Sequence, residues 1–425
     1  MQNSGCLRPL LIGIVVLTSF SVAAWYILFS TGLYEPPSKV EKAIFFENAW
    51  IWDGSTDSIQ LGNVLVEDGT ITCVGGDCVP PKGIKKMDAK GKSLMPGMID
   101  LHVHYYAPSQ ENQGMNAFQQ FPDYVKQRPS VRRNFVKHGV TSIRCVGDIT
   151  DNILQLKQQW REGKLAGPRV YVTGAFLTSP GGHPVSTWFK GNDMLIQNAT
   201  IQLDGPQAAR EAVALLAAKG VDGLKVIYTK GEDRDLPILD EEVLDAILEE
   251  APQAGLWVSV HCLHSDEVAS FAERSVTNLE QISFATIDSA TASQLLENDI
   301  AIVPSLVADS AEFIPDLAFL EELGLLIGTG SDTKGDMRFG KSLLEEIRLL
   351  HEKAGLSKAD ALRAATLDAA RILRIDDQVG RIAVGKRADL VLLDGNVLEQ
   401  LPERERINSV IIDGKVLMWN GTLFE

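Results

Sequence analysis

Two histidines one residue apart, His102 and His104, close the stretch Leu94-Met-Pro-Gly-Met-Ile-Asp-Leu-His-Val-His104. The apolar run from Met98 to Val103 reads as a buried strand entered from a Pro-Gly turn. Side chains two apart on a strand point to the same face, so both imidazoles can converge on one metal ion. Neutral imidazole suits zinc, iron or nickel. Taken alone, the pair is also compatible with two histidines that merely hydrogen-bond at a strand end, with metal binding only slightly ahead.

Three further residues sit where apolar strands would deliver them. Lys225 lies inside Gly223-Leu-Lys-Val-Ile-Tyr228, and a lysine in a buried strand is costly unless it is paired, neutral or modified. His261 ends Trp257-Val-Ser-Val-His261. Asp332 follows Leu325-Leu-Ile-Gly-Thr-Gly-Ser331, where a carboxylate could bind a metal and also move a proton.

The elements that must position these residues alternate. Apolar strand segments begin at Met98, Thr141, Arg169, Gly223, Leu256, Thr277, Ile300 and Leu325. Amphipathic helices, such as Gln207–Lys219, Asp240–Glu250 and Asp266–Arg274, lie between most of them. Eight such units predict a parallel sheet closed into a (β/α)8 TIM barrel, whose chemistry gathers at the C-terminal ends of the strands. An open doubly wound sheet is the alternative, but no Gly-x-Gly-x-x-Gly follows an early strand. Residues 43–92 and the segments Ala388–Asp394 and Ile407–Met418 read as short strands with Gly and Asp turns. They predict a small discontinuous β-sandwich made by both chain ends. The expected divisions are 1–34 as an N-terminal segment, 35–96 and 380–425 as the two parts of the sandwich, and 97–379 as the barrel.

Of the 425 residues, 45% are hydrophobic and 23% charged, an ordinary globular composition. The net charge of −16 argues against a nucleic-acid partner, which would require a basic footprint. From Pro9 to Tyr34 no residue is charged, and Leu10–Phe29 is almost wholly apolar, long enough for a transmembrane helix. A cleaved signal peptide is the alternative, with small residues near Ala23 and Ala24. The apolar run continues through Trp25–Phe29, which favours an anchor with the catalytic body outside the cytoplasm, on the periplasmic or extracellular side. Cys73 and Cys78 flank a Val-Gly-Gly-Asp turn. They could form a disulfide in an oxidising compartment or remain two thiols. Cys145 and Cys262 read as buried packing residues.

These pieces, in this order, resemble the metal-dependent amidohydrolase superfamily, and more nearly its imidazolonepropionase-like and prolidase-like members. The resemblance covers nearly everything after the apolar segment. It is carried by the His102-x-His104 stretch, Gly139-Val-Thr-Ser-Ile-Arg144, Gly167-Pro-Arg-Val-Tyr171, Gly181-Gly-His183, Gly328-Thr-Gly-Ser-Asp332, Ala361-Leu-Arg-Ala-Ala-Thr366 and Gly385-Lys-Arg-Ala-Asp-Leu-Val391. It implies hydrolysis of a C–N bond in a small-molecule amide, dipeptide-like or cyclic. One or two zinc ions would lower the pKa of bound water and polarise the scissile carbonyl. His102, His104 and Asp332 would hold one metal, a carboxylated Lys225 would bridge two, and His261 would hold the second. Asp332 would also carry the proton from water to the leaving nitrogen. His183 and Tyr228 lie where such relatives touch substrate.

One departure stands out. The family carries a histidine at the end of the sixth strand, where Thr277-Asn-Leu-Glu-Gln281 presents Gln281. An amide is a poorer zinc ligand than imidazole, so the second metal would be weakly held, absent, or held by another group such as His264. Two other readings remain open: a single-metal, deaminase-like hydrolase, and a non-catalytic binding protein on the same scaffold. Substrate choice falls to the loops Tyr105–Pro129, Thr178–Asn198 and Val307–Pro315, and a homo-oligomer is compatible with the sequence.

Overall fold

The computed structural model describes residues 43–106, 130–308, 316–335 and 338–423. The anchor expected over residues 1–34, most of the loop Tyr105–Pro129 and most of the loop Val307–Pro315 lie outside them. Among the described residues no helix is long and apolar enough to cross a membrane.

The parallel strands of the barrel run Met98–His104, Val140–Cys145, Arg169–Val172 continued by Phe176–Thr178, Gly223–Ile227, Trp257–His261, Asn278–Glu280 and Ala301–Val303. They pair in chain order as two sheets, which divide within the third strand. The break falls at Thr173–Ala175, where Gly174 takes φ +70°. All seven residues of Met98–His104 and all five of Trp257–His261 are buried, as expected for strands covered on both faces. Helix Pro206–Lys219 shows how the connecting helices are set. Proline occupies its first turn, and Gly220 in the left-handed region (φ +86°) ends it.

The eighth strand is less regular than the apolar run Leu325–Gly330 predicts. It is reduced to a bridge between Ile327 and Ile302 and a two-residue strand, Thr333–Lys334, beside Val103 and His104. Between them the Leu101 amide donates to the Thr329 carbonyl at 2.9 Å, which closes the barrel. Close approach is the reason for the irregularity. A Cβ on Gly328 would lie 2.5 Å from Leu101 Cδ1, and one on Gly330 would lie 2.6 Å from His102 Cβ.

Both chain ends meet, as expected, but in one nine-stranded sheet rather than two separately bonded layers. Strand Leu390–Asp394 from the C-terminal part pairs antiparallel with Lys92–Pro96 from the N-terminal part. The sheet curls on itself: a Cβ on Gly69, in one hairpin turn, would meet the Asp413 carbonyl of a distant hairpin at 2.8 Å. Its concave side buries Ile44, Phe46, Val66, Leu390, Ile411 and Val416 as one cluster. Cys73 and Cys78 are joined as a disulfide across their turn. Cys145 and Cys262 are buried free thiols.

Candidate metal centre

The first barrel strand delivers both imidazoles to one point: the Nε2 atoms of His102 and His104 lie 3.2 Å apart. Their other nitrogens are taken. His104 Nδ1 lies 2.9 Å from the Gly147 carbonyl oxygen, and His102 Nδ1 lies 3.1 Å from a carboxylate oxygen of Glu280. Both partners are acceptors, so each ring carries its proton on Nδ1 and presents a bare Nε2 lone pair. Burial holds both rings below the usual histidine range, His102 well below it.

Asp332 completes the group. Its Oδ1 lies 3.1 Å from His104 Nε2 and 3.5 Å from His102 Nε2, and this buried oxygen accepts no hydrogen bond among the described residues. Its Oδ2 accepts from Gln281 Nε2 at 2.7 Å and from Lys334 Nζ at 2.9 Å. Burial alone would raise this carboxyl, but Lys334, His102 and His104 together outweigh it and the pKa falls well below the usual carboxylate range. His102, His104 and Asp332 therefore form a buried group whose ligand atoms all lie within 4.8 Å of one another. Two bare imidazole nitrogens and an unpartnered carboxylate oxygen, with no donor between them, fit a divalent cation.

Asp100 sets the register between the first and eighth strands. Its carboxylate accepts from the Ser331 amide at 2.9 Å and the Ser331 hydroxyl at 2.6 Å, which fixes the backbone on either side of His102 and Asp332. Burial pushes its pKa up to about 7. Asp148 plays a similar part at the strand exit. It accepts from the amides of Tyr105 and Tyr106, both at 2.8 Å.

The other residues expected at the site are placed differently. Lys225 is fully buried, and its amine is bonded to Glu280 rather than to the histidine–aspartate group. Burial, aided by the nearby Arg144, drives its pKa well below that of an ordinary lysine. His261 is buried and stacks on His183, with ring centroids 5.1 Å apart. His183 Nδ1 lies 2.8 Å from the Thr187 hydroxyl, and burial lowers its pKa to about 3. Gln281 is spent on Asp332, in a backbone of φ +57°. His264 serves its own loop: it caps helix Ser265–Ala269 and its Nε2 lies 3.0 Å from the Gly231 carbonyl. Tyr228 is turned away from the group. Its hydroxyl donates to Glu241 at 3.2 Å and its ring meets Phe271 edge-on. The strand's alternation explains this, since Tyr228 is three positions from the inward Lys225 and so on the opposite face.

Two participants escaped sequence reasoning. Glu280 is fully buried and accepts from Lys225, Arg144 and the Ser259 hydroxyl as well as facing His102. Lys334 reaches Asp332 from two positions further along, with its ammonium 4.7 Å from the Trp188 ring centroid. The cost of burying Lys225 was a signal for a partner like Glu280, although nothing local indicated which acid it was.

A cavity of about 470 Å³ opens beside the group, lined by His183, Trp188, His261, Gln281, Asp332 and Lys334 together with the loop from Thr229 to Leu236. Such a cavity, at the C-terminal ends of parallel barrel strands and bordered by a histidine–aspartate group that could hold a metal, lies where barrel enzymes place their active sites. The chain belongs to the amidohydrolase family, whose sequence model matches residues 93–417. It is therefore a hydrolase of C–N bonds, in the branch with imidazolonepropionase-like and prolidase-like members. It is 22% identical to ochratoxinase of Aspergillus niger, covering 87% of this chain and 85% of that one. It is 23% identical to imidazolonepropionase of a Geobacillus species, covering 86% and 92%. A solved prolidase complexed with N-methylphosphonate-L-proline superposes with a TM-score of 0.76 at 26% identity, over 89% of this chain and 100% of that one.

Proposed function

We propose that this protein is a zinc-dependent hydrolase of a small amide, dipeptide-like or cyclic, with His102, His104 and Asp332 as metal ligands. The observation that carries the reading is the set of three bare acceptors, His102 Nε2, His104 Nε2 and Asp332 Oδ1, facing one another in a buried site. A divalent ion held there supplies Lewis acidity toward a water and a carbonyl oxygen. The chain's own groups do the rest. Glu280 and the Gly147 carbonyl hold the two rings with Nε2 forward. Gln281 and Lys334 fix Oδ2 of Asp332, and the carboxylate takes a proton from the attacking water and passes it to the departing nitrogen. His183 and His261, stacked in the cavity wall, border the space for the acyl group.

Lys225 takes the second role in this proposal. Burial favours its neutral amine, the form that adds to carbon dioxide, releasing a proton and leaving an anionic carbamate. As a carbamate it would bridge to a second metal with His261. A single-metal, deaminase-like enzyme is the second reading. It is favoured by the bond from Lys225 to Glu280 and by the engagement of Gln281 with Asp332, which leave one complete ligand set. Metal stoichiometry separates them: two ions and a carboxylated Lys225 support the first, one ion and a free amine the second. Hydrolysis across a panel of dipeptides and lactams tests the shared activity, and no turnover by zinc-replete protein would refute it.

The proposal extends to location, with residues 1–34 anchoring the enzyme and its body outside the cytoplasm. The Cys73–Cys78 disulfide supports it, because disulfides persist in oxidising compartments.

A further inference from the structure

At the opposite end of the barrel, a cleft of about 330 Å³ lies between the barrel floor and the curled sheet. Its barrel wall holds Lys157, Trp160, Arg161 and Arg169, and its other wall holds Arg387 and Lys415. Arg169 stands at the start of its strand, whereas the histidine–aspartate group lies at the C-terminal strand ends. The two cavities share no lining residue.

Five cations in one cleft are conspicuous in a chain of net charge −16. Three are compensated. Lys157 binds both oxygens of Asp222 at 2.6 and 2.7 Å. Arg169 bonds Asp389 and Asp413, each at 2.5 Å, and Arg387 reaches Asp413 at 3.2 Å. Arg161 and Lys415 form no ion pair among the described residues. The neighbouring acid, Glu162, is occupied by Lys164 at 2.6 Å. Lys415 leans across the cleft, its ammonium 3.7 Å from where a Cβ on Gly163 would stand. The end of helix Thr150–Arg161 there supplies only about half a negative charge, which leaves the surplus uncancelled.

The same wall holds an unspent donor. Trp160 is only 9% exposed, and its buried indole N–H has no hydrogen-bond partner among the described residues. Tyr171 adds a hydroxyl that stays protonated: burial, with Asp222 and Asp389 nearby, pushes its pKa up to about 12. Surplus fork and point cations, with donors and two aromatic faces beside them, match an oxyanion on a small organic body.

We propose that this cleft is a second binding site, for a small phosphorylated molecule whose phosphate sits between Arg161 and Lys415. A ligand held there touches barrel and sheet at once and so ties the two together.

The test is titration of inorganic phosphate into the full chain at constant ionic strength, followed by calorimetry, with wild type, the double variant Arg161→Ala/Lys415→Ala, each single variant, and Asp332→Asn. Expected are one saturable event in wild type, retained by Asp332→Asn, and a loss of about tenfold or more in affinity in the double variant. Each single variant should fall between. Neither side chain is ion-paired among the described residues, so the variants should fold, which circular dichroism checks; the single variants keep the test decisive if the double does not. No saturable binding by wild type, unchanged binding in the variants, or loss of binding only in Asp332→Asn would overturn the assignment.

Discussion

Glu280 and Lys225, both fully buried, are bonded to one another across the fifth barrel strand, with Arg144 on the same carboxylate. The carboxylate also faces His102 Nδ1 at 3.1 Å, so one acid balances the buried Arg144 guanidinium, holds the Lys225 amine and orients a candidate metal ligand. Removing one partner of such a cluster leaves charge buried without compensation.

Glu280→Gln should therefore cost about 3–5 kcal/mol in denaturant unfolding. Lys225→Met combined with Glu280→Gln should cost less than the sum of the two single changes, because the pair leaves together. Additive losses would show that the two side chains do not act as a unit.

Lys334→Ala removes the ammonium 2.9 Å from Asp332 Oδ2. A nearby cation favours the carboxylate, so its loss raises the Asp332 pKa toward the ordinary range. The acid limb of the kcat profile should then move to higher pH, with the alkaline limb in place. The stability sign agrees. A depressed carboxyl pKa stabilises the fold above the unfolded value of about 3.9 and loses that contribution as pH falls through the folded value. The variant should lose part of its stability advantage at neutral pH. An acid limb that does not move would separate Lys334 from Asp332 function.

Gln281→His restores an imidazole at the end of the sixth strand, beside His261 in the cavity wall. Bound metal per chain, measured by elemental analysis after dialysis, should rise relative to wild type. An unchanged ratio would mean that the residue at this position does not limit the second metal.

The disulfide can be counted. Of the five cysteines, the Cys73–Cys78 pair should resist alkylation in denaturant without reductant and react after reduction. Labelling of every cysteine before reduction, in protein matured outside the cytoplasm, would contradict the pairing and weaken the proposed location.

Much of this arrangement was legible because strand alternation is local. His102 and His104 share a face by spacing alone, and Asp332 follows an apolar run that had to end at the same rim. What escaped depends on contacts distant in sequence. Glu280 is 55 positions from Lys225, and no local pattern selects it over other acids. Tyr228 was placed at the site by likeness to relatives, while the parity counted from Lys225 points it outward to Glu241. The eighth strand looked regular because its apolar residues are β-forming. Its glycines, however, serve close approach to Leu101 and His102, and the ladder is interrupted there. The two ends were expected as a sandwich because alternation shows that faces are buried without showing that the sheet is continuous.

The central claim, that His102, His104 and Asp332 hold a catalytic metal, is tested most directly by elemental analysis of purified protein beside His102→Ala/His104→Ala, with amide hydrolysis followed in parallel. The account predicts bound zinc in wild type, its loss to background in the variant, and loss of hydrolysis with it. Equal metal content in the two proteins, or full hydrolysis by metal-free wild type, would contradict it.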